Sequence, residues 1–191
     1  MKIKSLVQLT AVAVAVSLSS CRSSKIKQAA KEPAPAGEQE IRILCSGPEF
    51  FSDKNTFRAN AVGESLDQET SRKKARNNAK SDLAGSINTT IKSVIDNYVS
   101  SREVNNVEEV SEKFEGLTRE VINQELSGVK TICERIVKAG DKYKTYLAIE
   151  MSGEDLVESI NERLSKEQQL KVDYDYQKFK DTFEKEMGEM K

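Results

Sequence analysis

The chain has 191 residues and a mass of 21.3 kDa, with 37% hydrophobic, 32% charged and 6% aromatic residues, enough for one modest core and too little for two large domains. Its 30 basic and 31 acidic residues leave a formal net charge of −1, without the single-sign block that marks a nucleic-acid-binding surface. Histidine is absent, which removes imidazole general bases, His-paired nucleophiles and His-containing metal sites.

Residues 1–20 read as an export signal, with Lys2 and Lys4 as a basic start, an apolar stretch from Leu6 to Leu18 and small residues after it. Gln8 and Thr10 interrupt the stretch, which falls short of the ~20 apolar residues that span a bilayer. It is expected to be cleaved rather than retained. The tetrad Leu18-Ser19-Ser20-Cys21 resembles the lipobox of bacterial lipoproteins. That resemblance implies that a diacylglycerol is joined to the Cys21 thiol before cleavage and that the new amino end is then acylated with a palmitate-type chain. Arg22 stands where an aspartate would be the usual inner-membrane retention signal, which implies the outer membrane, and no acidic run follows Cys21, which implies a periplasmic orientation.

Residues 21–39 form the expected lipidated tether, polar and small, with Pro33-Ala34-Pro35-Ala36-Gly37 among charges. Residues 40–191 are expected to form a single domain. Loss of Lys2 and Lys4 with the signal shifts the formal balance from −1 to −3, mildly acidic. Ile41, Ile43 and Cys45 alternate with Arg42 and Leu44 ahead of Gly47-Pro48, predicting a short strand over 41–45. A second strand is predicted over 57–63, with Phe57, Ala59 and Ala61 on one side and a turn at Gly63. From Asp67 the period becomes helical. Ala75, Ala79, Leu83, Ile87, Ile91, Val94 or Ile95, and Tyr98 share a face, alanines in its first half and branched residues in its second. One end of this helix can therefore approach a sheet closely while the other fills a wider gap.

A second amphipathic helix is predicted over 107–126, with Val110, Phe114, Leu117 and Val121 on one face and Gly128 ending it. Residues 129–138 and 142–151 flank Ala139-Gly140-Asp141 as an antiparallel hairpin. Ser152 is a cap for a third helix carrying Leu156, Ile160 and Leu164, and Asp173 or Asp175 precedes a fourth with Tyr176, Phe179, Phe183 and Met187. The order ββ-α-α-ββ-α-α fits an α+β fold, a small antiparallel sheet with long amphipathic helices packed on it.

With these residues placed, the chain resembles the LPP-twenty lipoprotein family, named for a twenty-kilodalton membrane-associated lipoprotein, and its fold is similar to the N-terminal domain of the flagellar T-ring protein. The likeness rests on Arg58-Ala59-x-Ala61-x-Gly63-x-Ser65, on Asn78-Ala79-Lys80-Ser81-Asp82-Leu83-Ala84 with Ala75, and on Tyr146-Leu147-Ala148-Ile149-Glu150-Met151. It covers roughly residues 40–151, with Ser71 in the place of the first alanine of the helix repeat. The family brings no established catalytic residues, and it implies an envelope lipoprotein or a part of a surface assembly.

Cys45 and Cys133 fall in apolar runs and read as buried free thiols; a disulfide is the alternative in an exported protein if their strands are neighbours. A metal site on two cysteines has no histidine to complete it. Arg72, Lys73, Lys74, Arg76 and Lys80 crowd the start of the long helix, either as a solvated face or as a contact for lipid phosphates and other anions. The stripe of Tyr176, Phe179, Phe183 and Met187 closes the core or docks a partner, another copy included. No esterase elbow, phosphate loop or Cys-x-x-Cys pair is present, and adjacent carboxylates such as Glu108 and Glu109 diverge on a helix. The expected function is a non-enzymatic, cofactor-free lipoprotein of the outer membrane that binds or organises another envelope component. The alternative is a subunit of a larger envelope assembly, associating through the C-terminal helix.

Overall fold

The computed structural model describes residues 41–101, 107–167 and 174–189. Three strands, β1 (Thr56–Ser65), β2 (Lys130–Ala139) and β3 (Lys142–Ser152), make an antiparallel sheet in the order β1-β3-β2. The register sets Phe57, Ala59, Ala61 and Gly63 of β1 opposite Met151, Ile149, Leu147 and Thr145 of β3. Because side chains alternate, these residues share one face, and it is the face that meets the helices. The hairpin between β2 and β3 turns through Gly140 at φ 63°, a backbone state that glycine adopts at no steric cost.

Helix α1 (Gln68–Ser100) starts at Asp67, whose Oδ1 accepts from the Thr70 N–H at 2.7 Å. Its 33 residues span about 50 Å against about 33 Å for a ten-residue strand, so the helix outruns the sheet. The alanine half lies on the strands. At Gly63 a Cβ would collide with the Ser71 carbonyl and the Ala75 amide of α1, which is why glycine and small helix residues coincide there. The branched half, with Ile91, Val94, Ile95 and Tyr98 buried, packs on α2 (Val107–Glu125) and α4 (Tyr176–Glu189).

Where the helix repeat has serine in place of alanine, the structure shows a use for the hydroxyl. Ser71 is buried, its Oγ donates to the Gly63 carbonyl at 3.0 Å, and Thr145 Oγ1 lies 2.7 Å from the same atom. With Ser71 donating to Gly63, Thr145 donates to Ser71, and every buried polar group in the cluster has a partner.

Helix α3 (Gly153–Ser165) is capped by Ser152, whose Oγ accepts from the Asp155 N–H at 3.2 Å. Before α4, Asp175 Oδ1 accepts from the Lys178 N–H at 3.1 Å, while the Asp175 N–H donates to the Tyr98 hydroxyl at 2.7 Å. Tyr98, Phe114, Tyr174 and Phe179 join the helices in an aromatic cluster with ring centroids 5.6 to 6.5 Å apart. Among the described residues the fold is α+β with four helices and one three-stranded sheet, in the order β-α-α-β-β-α-α.

The predicted strand over 41–45 is therefore corrected. Ile41 and Ile43 are exposed and Cys45 takes a positive φ of 55°, a left-handed turn that ends any extended run. Residues 41–55, with a 3-10 turn at Pro48–Phe50, instead cross the outer face of the sheet as a strap.

Candidate functional site

The strap is the feature that sets this sheet apart, because it is fastened at both ends by discrete links. At one end Cys45 is joined to Cys133 in a disulfide, with Cα atoms 5.7 Å apart, so these residues are not the pair of free thiols that burial alone suggested. A bulge in β2 makes this possible. The register slips between Thr131 and Cys133, so that Thr131 lies opposite Ile149 and Cys133 opposite Ala148. One extra residue thus turns Cys133 to the outer face, within reach of Cys45 and opposite Ala148, itself fully buried.

At the other end Ser52 acts as a one-residue strand partner for β1. Its Oγ accepts from the Arg58 N–H at 2.9 Å and donates to the Arg58 carbonyl at 3.1 Å. The Arg58 side chain then ties strap to sheet: Nη1 reaches Asp53 Oδ2 at 2.7 Å and the Phe51 carbonyl at 2.9 Å, and Nε reaches Glu150 Oε2 at 3.3 Å. Lys130 Nζ takes the other Glu150 oxygen at 3.1 Å. Burial opposes ionisation of Glu150, but the bonds and charges of Lys130 and Arg58 outweigh it and hold the carboxyl below the ordinary glutamate range. Asp53 is likewise lowered, first by the Asn55 N–H and, against some burial, by Arg58. The strap leaves an open cleft of about 490 Å³ against α1, bounded by Phe50, Phe51, Asn60 and Thr89.

The basic start of α1 is less concentrated than its sequence suggested. Arg72 Nε is 2.7 Å from Glu134 Oε1 and its Nη1 3.2 Å from Glu69 Oε1, while Lys74 Nζ donates to the Glu64 carbonyl at 3.1 Å. Arg72, Lys73 and Arg76 border a cleft of about 180 Å³ together with Glu69 and Glu134, and both carboxylates are paired with Arg72. Lys80 and Lys74 are not among the residues that line it.

Phe179, Phe183 and Met187 of the C-terminal stripe are buried in the core, and Tyr176 is half-buried. Between α3 and α4 lies a larger cleft of about 530 Å³ beside Gly153. Its Lys180 is 3.7 Å from Glu154 and 3.9 Å from Glu184.

Leu18, Ser19, Ser20 and Cys21 lie outside the described residues. Among the described residues no helix is long and apolar enough to cross a membrane, and no group of three metal-ligating side chains is assembled. The strap network of Ser52, Asp53, Lys130 and Glu150 was not legible in the sequence. Its one signal was the polar, outward position of Arg58 and Glu150 on predicted strands. No family model, curated protein or solved structure matches the chain.

Proposed function

We propose that the chain is a non-enzymatic lipoprotein of the bacterial outer membrane, of LPP-twenty type, held by diacylglycerol and a further acyl chain on Cys21 and facing the periplasm. The observation that carries the reading is the lipobox, Leu18-Ser19-Ser20-Cys21, placed directly after a short apolar stretch with a basic start. The Cys45–Cys133 bond supports it, since disulfides persist in oxidising compartments beyond the inner membrane and are rare in the cytosol. In this reading the domain is a binding or structural module of the envelope. Its Arg58–Asp53 ion pair holds the strap to the sheet. Two or three acyl chains, at ~0.8 kcal/mol per buried methylene, make the attachment effectively permanent.

The test is the intact mass of the protein purified from membranes, with and without an inhibitor of the lipoprotein signal peptidase. Acyl chains on Cys21 are expected, with accumulation of the lipid-bearing precursor under the inhibitor and loss of both in Cys21→Ser. A mature chain without acyl groups, or maturation indifferent to the inhibitor, overturns the proposal.

A further inference from the structure

Seven large apolar side chains stand exposed among the described residues, and four of them, Ile41, Ile43, Leu44 and Phe51, belong to the strap, at 80%, 50%, 42% and 55% exposure. A fifth, Val62, lies on β1 at 40%, in register with Arg58 and therefore on the same outer face. Single exposed apolar residues are ordinary on a protein surface; three among the four residues 41–44 are not. Phe51 is held outside the core because it lies between the Cys45 disulfide and the Ser52–Arg58 bonds, and Ile41, Ile43 and Leu44 are tied to the same face through Cys45, which directly follows them.

We infer that the strap is a second, non-covalent membrane contact, which lays the outer face of the sheet on the phospholipid surface next to the anchor. The inference rests on the lipid-anchor reading, and two observations select a bilayer as the occupant. Cys21 stands 20 residues before Ile41, a separation that no chain stretches beyond about 70 Å, so the strap is the part of the described domain covalently nearest the membrane. Tethering at that range makes a weak apolar contact intramolecular and thereby effective. Arg42 and Lys54 of the strap are matched by Glu49 and Asp53, so it carries no net negative charge to repel anionic lipid and its contact is apolar. The contact orients the domain, setting the outer face of the sheet toward the lipid.

The chain has no tryptophan, so Ile43→Trp supplies a sole reporter at an exposed position. The acylated mature protein is reconstituted in phosphatidylethanolamine–phosphatidylglycerol vesicles carrying brominated acyl chains, beside Asn123→Trp on the exposed side of α2. Expected is blue-shifted emission with quenching at least about twofold stronger for Ile43→Trp, as for an indole at the lipid interface. Salt leaves this unchanged, and adding Ile41→Ser with Leu44→Ser reduces it. Equal quenching of the two reporters in acylated protein overturns the contact and leaves the anchor standing. If the protein proves unacylated the anchor reading fails, and the same vesicles then decide the strap alone: quenching upholds the contact, its absence removes it. A dimer in sedimentation with no lipid quenching assigns the strap to a second copy and overturns the inference.

Discussion

The two faces of the sheet are covered by different physics. The inner face lies under α1, with Phe57, Ala59, Leu147 and Ile149 buried against Ala75, Ala79 and Leu83, and it is held by apolar area and close approach. The outer face lies under residues 41–55, which contribute Cys45 as their one buried apolar residue and hold on through a disulfide, a serine hydroxyl and Asp53 paired with Arg58, an arginine braced in turn by Glu150 of the sheet. Burial is indifferent to reductant and nearly so to pH, whereas each outer link answers to a solution condition. One sheet therefore carries a permanent side and a conditional side.

The largest expected effect is on the permanent side. Gly63→Val drives a side chain into the backbone of α1 at Ser71 and Ala75, and a loss of about 4 kcal/mol is expected in urea unfolding, since backbone cannot yield as a side chain would. Gly85→Ala is the control, because open space surrounds its Cβ on the same helix. It is expected to stabilise by up to about 1 kcal/mol through helix propensity. On the conditional side, Cys45→Ser with Cys133→Ser opens a link of sequence separation 88 and is expected to cost about 3 kcal/mol. The same shift should follow dithiothreitol in the native protein and be absent from the variant. Helical circular dichroism at 25 °C should survive both while proteolysis within residues 41–55 accelerates; melting of the helices on reduction would show that the faces are not separable.

The next effect lies at the polar point of the inner face. Ser71→Ala removes the side-chain donor to the Gly63 carbonyl and leaves the Thr145 hydroxyl without its Ser71 partner in a buried place, and is expected to cost about 2 kcal/mol. Adding Thr145→Val should cost less than Thr145→Val does alone, because it removes the hydroxyl already orphaned. Strict additivity would mean that the two hydroxyls do not act together.

What was legible in the sequence divides along the same line. The inner layer rests on local periodicity, so the alternation of Phe57, Ala59 and Ala61, the helical face from Ala75 to Tyr98 and the caps Ser152 and Asp175 could be read from neighbours in the chain. The contrast between small and branched halves of α1 also told which end meets the sheet. The outer layer depends on long-range register. A five-residue alternation at 41–45 cannot separate a strand from an extended strap, and no local signal places the bulge that turns Cys133 outward. For the basic cluster, composition showed the cations but not Glu134, which comes from a strand 62 residues away.

The smallest expected effect tests whether charge belongs among the outer links at all. Glu150 is 21% exposed and bonded to both Arg58 and Lys130, and its carboxyl sits below the ordinary value despite burial. A depressed acid in the folded state favours folding above the unfolded pKa, and that contribution disappears as pH falls through about 4 and below. Glu150→Gln is therefore expected to cost about 1 kcal/mol at neutral pH, since the pair is only partly shielded from water, and nothing at about pH 2, where the native carboxyl is also neutral. Glu162→Gln, in a pair with Lys166 whose side chains are 74% and 71% exposed, should leave the acid profile unmoved. Should Glu150→Gln lose stability in parallel with the native protein across that range, Glu150 does not brace Arg58, and the acid-sensitive link of the strap is Asp53 with Arg58 alone.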